Sequence, residues 1–256
     1  MSSHTWTPAA LSSERRALSG LCWRLVEAQH RVSTLKLVDT LAEQEVLERL
    51  IEASKPPVPP DYRHLHYLLA TPFRYGAPYP RGSRFRRAGL TEGVYYASAK
   101  PATAVAETAF YRLLFFAESP ATPWPANAAE FTAFSVRYAT RRGLDLTAPP
   151  LSRDRVAWTN PTDYAPCQAF ADVARAATGD VLKYESVRDP AHGANLAILT
   201  CAAFTSKAPV QRQTWRIQVG PSGARALCEF PDARLEFPRE AFAADPRIAG
   251  LEWDRP

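Results

Sequence analysis

The sequence is short of several things, and each shortage closes off a class of protein. Its four cysteines, Cys22, Cys167, Cys201 and Cys228, lie far apart and form no CxxC pair. Disulfide and zinc frameworks need tighter clusters, so reduced thiols packed in a core are expected, with no metal. No run approaches eighteen apolar residues, and the opening MSSHTWTPAALSSERR lacks an apolar signal segment. A soluble, cytoplasmic protein without a membrane partner is therefore expected. There is no GxxxxGK[ST] and no strand–GxGxxG–helix unit, which argues against a nucleotide P-loop and against a Rossmann dehydrogenase. No GxSxG surrounds Ser186, and no histidine stands in an obvious triad relation to it, although His192 is close. Charge is not extreme either. A net +5 suits phosphorylated small molecules and gives little support to a nucleic-acid partner.

What is present fits one domain of ordinary size with a helical appendage. Of 256 residues, 46% are hydrophobic and 22% charged, enough for a core and too apolar for global disorder. Proline, at 23 residues against 11 glycines, implies many rigid connections. Residues 21–53 carry apolar positions at helical spacing, with Ser33 or Thr34 as a cap, ending before the KPPVPP linker. His30, Arg31 and Lys36 on that segment could face a ligand, but a packing or self-association surface is the plainer reading. The division expected is a helical extension and proline-rich linker over 1–60, then a catalytic domain over 61–256.

Along the rest of the chain, 64–75 reads as a strand, with His64 and His66 on one face as metal ligands could be. A third ligand is missing nearby, so ordinary polar histidines are the better reading. Residues 93–98 read as a strand and 101–116 as a mostly buried helix with Pro101 in its first turn. Residues 131–150 suggest a hairpin turning at Gly143, and 158–179 a turn followed by a helix ending at Gly179. Residues 181–190 alternate, placing Leu182, Tyr184, Ser186 and Arg188 on one face, which suits a pocket wall better than a core. Residues 195–204 read as a central strand, QTWRIQVG and RALCEF as a hairpin, and the tail from Asp232 as polar and proline-spaced. The fold class expected is α+β, with short strands in mixed or antiparallel sheets and few helices.

Chemistry concentrates in residues 73–107. Arginines stand at Arg74, Arg84, Arg86 and Arg87, glycine turns at Gly82, Gly89 and Gly93, a tyrosine pair at Tyr95 and Tyr96, and one carboxylate, Glu107, sits within an apolar helix. Guanidinium forks suit phosphate oxygens, and a lone carboxylate on an apolar stripe needs either a partner or a task. The plain reading of Glu107 is an ion pair with a nearby arginine. The functional one joins Glu107 to Arg74, Arg84, Tyr96 and Ser186, with Tyr75 and Arg188 in support. Such a set suits cleavage of an activated N-glycosidic bond through an oxocarbenium-like state, which one carboxylate stabilises. Arginines would hold a pyrophosphate and a tyrosine ring would stack on a flat base. Nicotinamide leaves neutral, so no general acid is required. Two alternatives stand beside this: transfer of ADP-ribose to a protein or nucleic acid, and a non-catalytic basic module in which RGSRFRR with Tyr79, Phe85, Tyr95 and Tyr96 binds nucleic acid.

Four segments, FRYGAPYPRGSRFR, GVYYASAKPATAVAE, WTNPTDYAPCQAFAD and YESVRDPAHGANLAIL, occur in an order that resembles the RES domain family, named for its Arg, Glu and Ser positions. The 21–55 segment and its linker resemble the longer members. The resemblance implies an ADP-ribosyltransferase-like fold and the toxin role in a toxin–antitoxin system. It implies NAD⁺ as a substrate rather than a cofactor, phosphate or water as acceptor, and an antitoxin of Xre-like helix-turn-helix type as partner. Carried over by position, the family's Arg falls on Arg74, its Glu on Glu107 and its Ser on Ser186. Arg84 and Tyr96 take the intervening positions, Tyr96 standing eleven residues before Glu107.

Overall fold

The computed structural model describes residues 6–27, 34, 37–76, 80 and 82–254. Its strands are β1 (Arg16–Glu27), β2 (Tyr95–Ser98), β3 (Ala129–Asp145), β4 (Val181–Glu185), β5 (Ala194–Ile198), β6 (Gln211–Gly220), β7 (Gly223–Cys228) and β8 (Ala233–Pro238). Its α-helices are α1 (Pro8–Ser13), α2 (Leu41–Ala53), α3 (Tyr67–Arg74), α4 (Pro101–Glu118), α5 (Arg155–Trp158), α6 (Ala165–Ala176) and α7 (Pro246–Ala249). The class is α+β, as expected.

The 17-residue β3 is the spine. On one edge it pairs antiparallel with β1, from Arg16 opposite Gly143 to Glu27 opposite Phe131. On its other edge the first half carries β6, antiparallel, while its last three residues pair in parallel with β4. From β4 the sheet continues through β5 and β2, and β2 returns to β1 at Trp23 opposite Ser98. Strands β1, β2, β5, β4 and β3 thus close on one another, and β6, β7 and β8 extend outward as a meander.

Three helices each cover a different sector of this sheet. Helix α4 buries Val105, Ala109, Phe110 and Leu113 against Trp215, Ile217 and Ala226 of the meander. Helix α6 packs Phe170, Ala171 and Ala174 on Leu144, Leu182 and Ala197. Helix α3 sets Leu69, Ala70 and Phe73 against Cys22, Val136 and Ile198. Fully burying one such large side chain contributes about 1.5–3 kcal/mol, so these three contacts fix where the helices sit. The four cysteines are unpaired, three of them buried, as the sequence suggested.

The structure departs from the sequence reading in four places. Residues 21–27 are strand, not helix. Their apolar positions are consistent with either period over so short a run, and pairing with β3 over the whole length of β1 decides for the strand. Among the described residues Thr34 is helical, not a cap, and Leu41–Ala53 forms a helix that opens where Thr40 and Glu43 make a reciprocal capping box. The first sixty residues are therefore not simply a helical appendage, because β1 belongs to the closed part of the sheet. Ser33, His30, Arg31 and Lys36 lie outside the described residues, as does Tyr79.

Residues 67–74 form helix α3 where a strand was expected. Its start is set by His66, whose Nδ1 accepts the Leu68 N–H at 3.2 Å, so that ring caps a helix instead of facing His64 across a strand. Gly143 lies inside β3, not in a turn. A Cβ there would come within 2.5 Å of the Leu18 side chain, so this glycine marks the close approach of β1. Finally, the tail supplies a further strand, β8, paired along β7.

Candidate functional site

Helix α4, β1, β2 and the segment following β4 converge on a cavity of ≈ 530 Å³. Glu107 reaches it from α4, Tyr96 and Ser98 from β2, Arg24 from β1, and Tyr184 from β4. Arg84 enters from the 82–86 turn, Arg188 from beyond β4, Asn195 from β5 and Arg247 from α7.

At its centre, Glu107 Oε1 accepts two hydrogen bonds, from Ser186 Oγ at 2.7 Å and from Asn195 Nδ2 at 2.6 Å. Both donors are aimed by their surroundings. Ser186 Oγ accepts the backbone N–H groups of Arg188 and Asp189 at 3.2 and 2.9 Å, so its own proton turns toward the carboxylate. Asn195 Oδ1 accepts from Ser98 Oγ at 2.6 Å, which fixes the amide with its NH₂ facing Glu107. With both bonds on Oε1, Oε2 is the oxygen left for the cavity. Glu107 makes no ion pair among the described residues, so the plain reading of it as half of a salt bridge does not hold. Burial pushes its carboxyl above the ordinary glutamate value, against the pull of Ser186, Asn195 and the arginine charges.

The arginines around this carboxylate differ in what they hold. Arg84 is buried, with Nη1 donating to the Trp158 carbonyl at 2.7 Å and Nη2 to that of Asn160 at 2.9 Å. Its guanidinium lies 4.6 Å from the Tyr164 ring centroid. Arg24 donates from Nη1 to the Tyr96 carbonyl at 3.0 Å and lies over the Tyr95 ring at 5.2 Å; burial draws its pKa down. Neither arginine has a carboxylate partner among the described residues. Arg188, by contrast, is ion-paired to the buried Asp245, donates to the Pro161 carbonyl at 2.5 Å and covers Phe110.

Tyr96 does more than present a ring. Its hydroxyl accepts the Phe85 N–H at 2.9 Å and shares a 2.8 Å bond with Ser83 Oγ, which pins the turn that carries Arg84. Burial raises its pKa. The other arginines of that turn point elsewhere: Arg86 donates to the Tyr75 and Gly76 carbonyls, and Arg87 pairs with Asp172 at 2.6 Å.

Of the residues singled out in the sequence, the structure brings together Arg84, Tyr96, Glu107, Ser186 and Arg188. It does not bring Arg74 or Tyr75 to the cavity. Arg74 ends α3 with Nη1 on Glu52 at 2.7 Å and Nε on the Pro56 carbonyl at 2.6 Å, anchoring α2 and the proline linker. The Tyr75 carbonyl serves Arg86. Sequence reading missed Arg24, Asn195, Ser98, Tyr164 and Arg247. Arg24 had a signal, being a lone charge in the apolar run LCWRLV, and so did Asn195, opening the apolar NLAIL. Tyr164 and Arg247 had none, since only the fold carries them here. No cluster of three or more His, Cys, Asp or Glu side chains suited to a metal occurs among the described residues. No helix there is long and apolar enough to cross a membrane.

Comparison with known proteins adds an independent line. A search of curated proteins found no match. Among solved structures, the M. tuberculosis MbcT–MbcA toxin–antitoxin complex contains a similar chain, at 13% identity and a TM-score of 0.45, covering 80% of this chain and 91% of that one. The family model described as RES domain matches residues 58–220, a segment that includes Arg84, Tyr96, Glu107, Ser186 and Asn195. That span is well over half of the sequence, and the chain belongs to the RES domain family.

Proposed function

We propose that this chain is the toxin of a toxin–antitoxin system and degrades NAD⁺ by cleaving the nicotinamide N-glycosidic bond, with phosphate or water as acceptor. The observation that carries the reading is Glu107: a half-buried carboxylate bonded through one oxygen to Ser186 and Asn195, its other oxygen left for a cavity whose arginines Arg24 and Arg84 have no carboxylate partner among the described residues. A negative centre for a developing cation and positive groups for an anionic tether are what a dinucleotide cleavage needs.

In this mechanism the C1″–N bond breaks and its electron pair leaves with nicotinamide, which departs neutral. The oxocarbenium charge on the ribose forms against Glu107, and Ser186 and Asn195 keep that carboxylate in place. A phosphate oxygen, or a water whose proton passes to Glu107, then adds to C1″. Tyr96 holds the turn that presents Arg84. The cavity volume lies within the roughly 300–1,000 Å³ usual for small-molecule sites. The antitoxin role, a Xre-like helix-turn-helix partner occluding the cavity, a cytoplasmic location and an ADP-ribosyltransferase-like fold all belong to this proposal as what RES membership implies.

The test is NAD⁺ consumption by antitoxin-free chain, with and without inorganic phosphate, beside Glu107→Gln. Nicotinamide release that requires Glu107 supports the reading, and a phosphate requirement separates phosphorolysis from hydrolysis. Intact NAD⁺ under both conditions sinks it.

A further inference from the structure

The C-terminal helix α7 lies beyond the segment matched by the family model, yet it sends Arg247 into the cavity lining. Arg247 holds Asp245 with a fork, Nε to Oδ1 and Nη2 to Oδ2, both at 3.0 Å. The same Asp245, 3% exposed, also pairs with Arg188. Two guanidinium groups thus share one carboxylate, and this end of the cavity keeps one positive charge in surplus.

Tyr164 sits between that surplus and Arg84, one of the two cavity arginines without a carboxylate partner among the described residues. Arg84 lies on its ring face, 4.6 Å from the centroid. Its hydroxyl accepts from Arg188 Nη2 at 3.4 Å, and it is near enough to Arg247, which lines the same cavity, to interact with it electrostatically. Cationic groups therefore flank a single ring, one at its face and one at its hydroxyl end. A monophosphate would engage one of them, whereas two linked phosphates would engage both. The Arg247 side chain is 33% exposed, so its Nη1, outside the fork on Asp245, is open to a ligand, while Arg188 is closed in.

We propose that Arg247 is a specificity residue of this cavity, which with Arg84 reads the two phosphates of a diphosphate and favours dinucleotides over mononucleotides. This rests on the NAD⁺ reading only in expecting a diphosphate-bearing substrate.

Calorimetric titration of the full chain with inorganic pyrophosphate and with orthophosphate tests it, for wild type, Arg247→Ala and Arg247→Lys. Arg247→Ala is expected to weaken pyrophosphate binding about ten- to a hundredfold, the size of a hydrogen bond to a charged group, and orthophosphate less than about threefold. Arg247→Lys, which keeps the charge without the fork, should fall between and shows that loss is not a folding failure. In turnover, Arg247→Ala should raise KM for NAD⁺ with kcat unchanged, and narrow the preference for NAD⁺ over nicotinamide mononucleotide. Equal loss of both anions, loss of neither, or a wild-type chain indifferent between them overturns the proposal. Arg247-dependent pyrophosphate binding without NAD⁺ cleavage would instead retain this site and sink the reading of the reaction.

Discussion

Two regions of this molecule each hold a glutamate and an arginine, and they use them in opposite ways. At the junction of α2 and α3, Arg74 and Glu52 meet at 2.7 Å and neutralise each other. In the cavity, Glu107 takes its bonds from a serine and an amide, while Arg24 and Arg84 donate to backbone carbonyls and, from Arg84, to the Cys167 sulfur, with no carboxylate partner among the described residues. The first region spends its charges on holding two helices together. The second keeps them apart, and charge left without a partner in a half-buried place is charge available to a ligand. The two glutamates shift in opposite directions. Arg74 draws the exposed Glu52 below the ordinary value through its hydrogen bond, whereas burial pushes Glu107 above it.

The sharpest way to break this comparison is at Glu107. On the proposed chemistry, Glu107→Gln keeps both hydrogen bonds in outline but removes the charge, and should lower kcat by about 10²–10³-fold, the usual effect of deleting one preorganised electrostatic group. Stability should not fall with it. A carboxyl with a raised native pKa contributes stability below its unfolded pKa and loses it as pH rises through the native one. The wild type should therefore lose stability relative to Glu107→Gln across the range just above 4.5, as chemical melts at several pH values would record. Turnover runs the other way. It should climb as Glu107 ionises, with its midpoint above 4.5, and a profile flat through that range would remove Glu107 from the chemistry.

Next in size are the arginines without carboxylate partners. Arg84→Ala should raise KM for NAD⁺ about ten- to a hundredfold, since it removes a charge-assisted contact to phosphate and leaves two buried carbonyls unpaired. Arg24→Ala should do the same to a lesser degree, because Arg24 makes a single bond to a carbonyl. Steady-state kinetics at fixed ionic strength separates these from Ser98→Ala, which acts at one remove. Ser98 orients Asn195 through a 2.6 Å bond and makes no bond to Glu107. A loss of about three- to tenfold in kcat is expected there, in line with one neutral hydrogen bond of about 1 kcal/mol.

How much of this was legible in the sequence follows from what each residue depends on. Glu107 stood out because α4 is apolar around it, and local helical period is a property a sequence carries. The alternation of 182, 184, 186 and 188 likewise read as one face suited to a pocket wall, and Tyr184 and Arg188 do line the cavity. Gly143 and the 67–74 helix were misread because a glycine and a short apolar run each admit two local structures, and only the neighbouring strand or the His66 cap decides. Arg24 was lost with β1, whose partner lies more than a hundred residues away in β3. Arg247 could not be found at all, since its place in the cavity depends on how the C-terminal segment returns over Phe110.

The smallest effect on turnover is expected at Arg74, the arginine that family position would place in catalysis and that the structure puts beside Glu52. Arg74→Ala removes a bond to Glu52, whose side chain is 59% exposed, and a 2.6 Å bond to the carbonyl of Pro56, an exposed residue of the proline linker. The exposed ion pair itself is worth about 0–1 kcal/mol, and the lost bond to a carbonyl that water can reach adds about 0.5–1.5 kcal/mol. A chain of this length should lose a few degrees of melting temperature as a result. That loss should shrink toward acid pH, because the lowered Glu52 pKa makes its share of stability disappear as pH falls through the native value. Meanwhile kcat and KM for NAD⁺ should stay within about twofold of wild type, as for surface changes away from a site. A fall in kcat comparable to that of Glu107→Gln, with the melting temperature unmoved, would erase the difference between the two regions. It would mean that α3 swings Arg74 away from Glu52 and into the cavity when substrate binds.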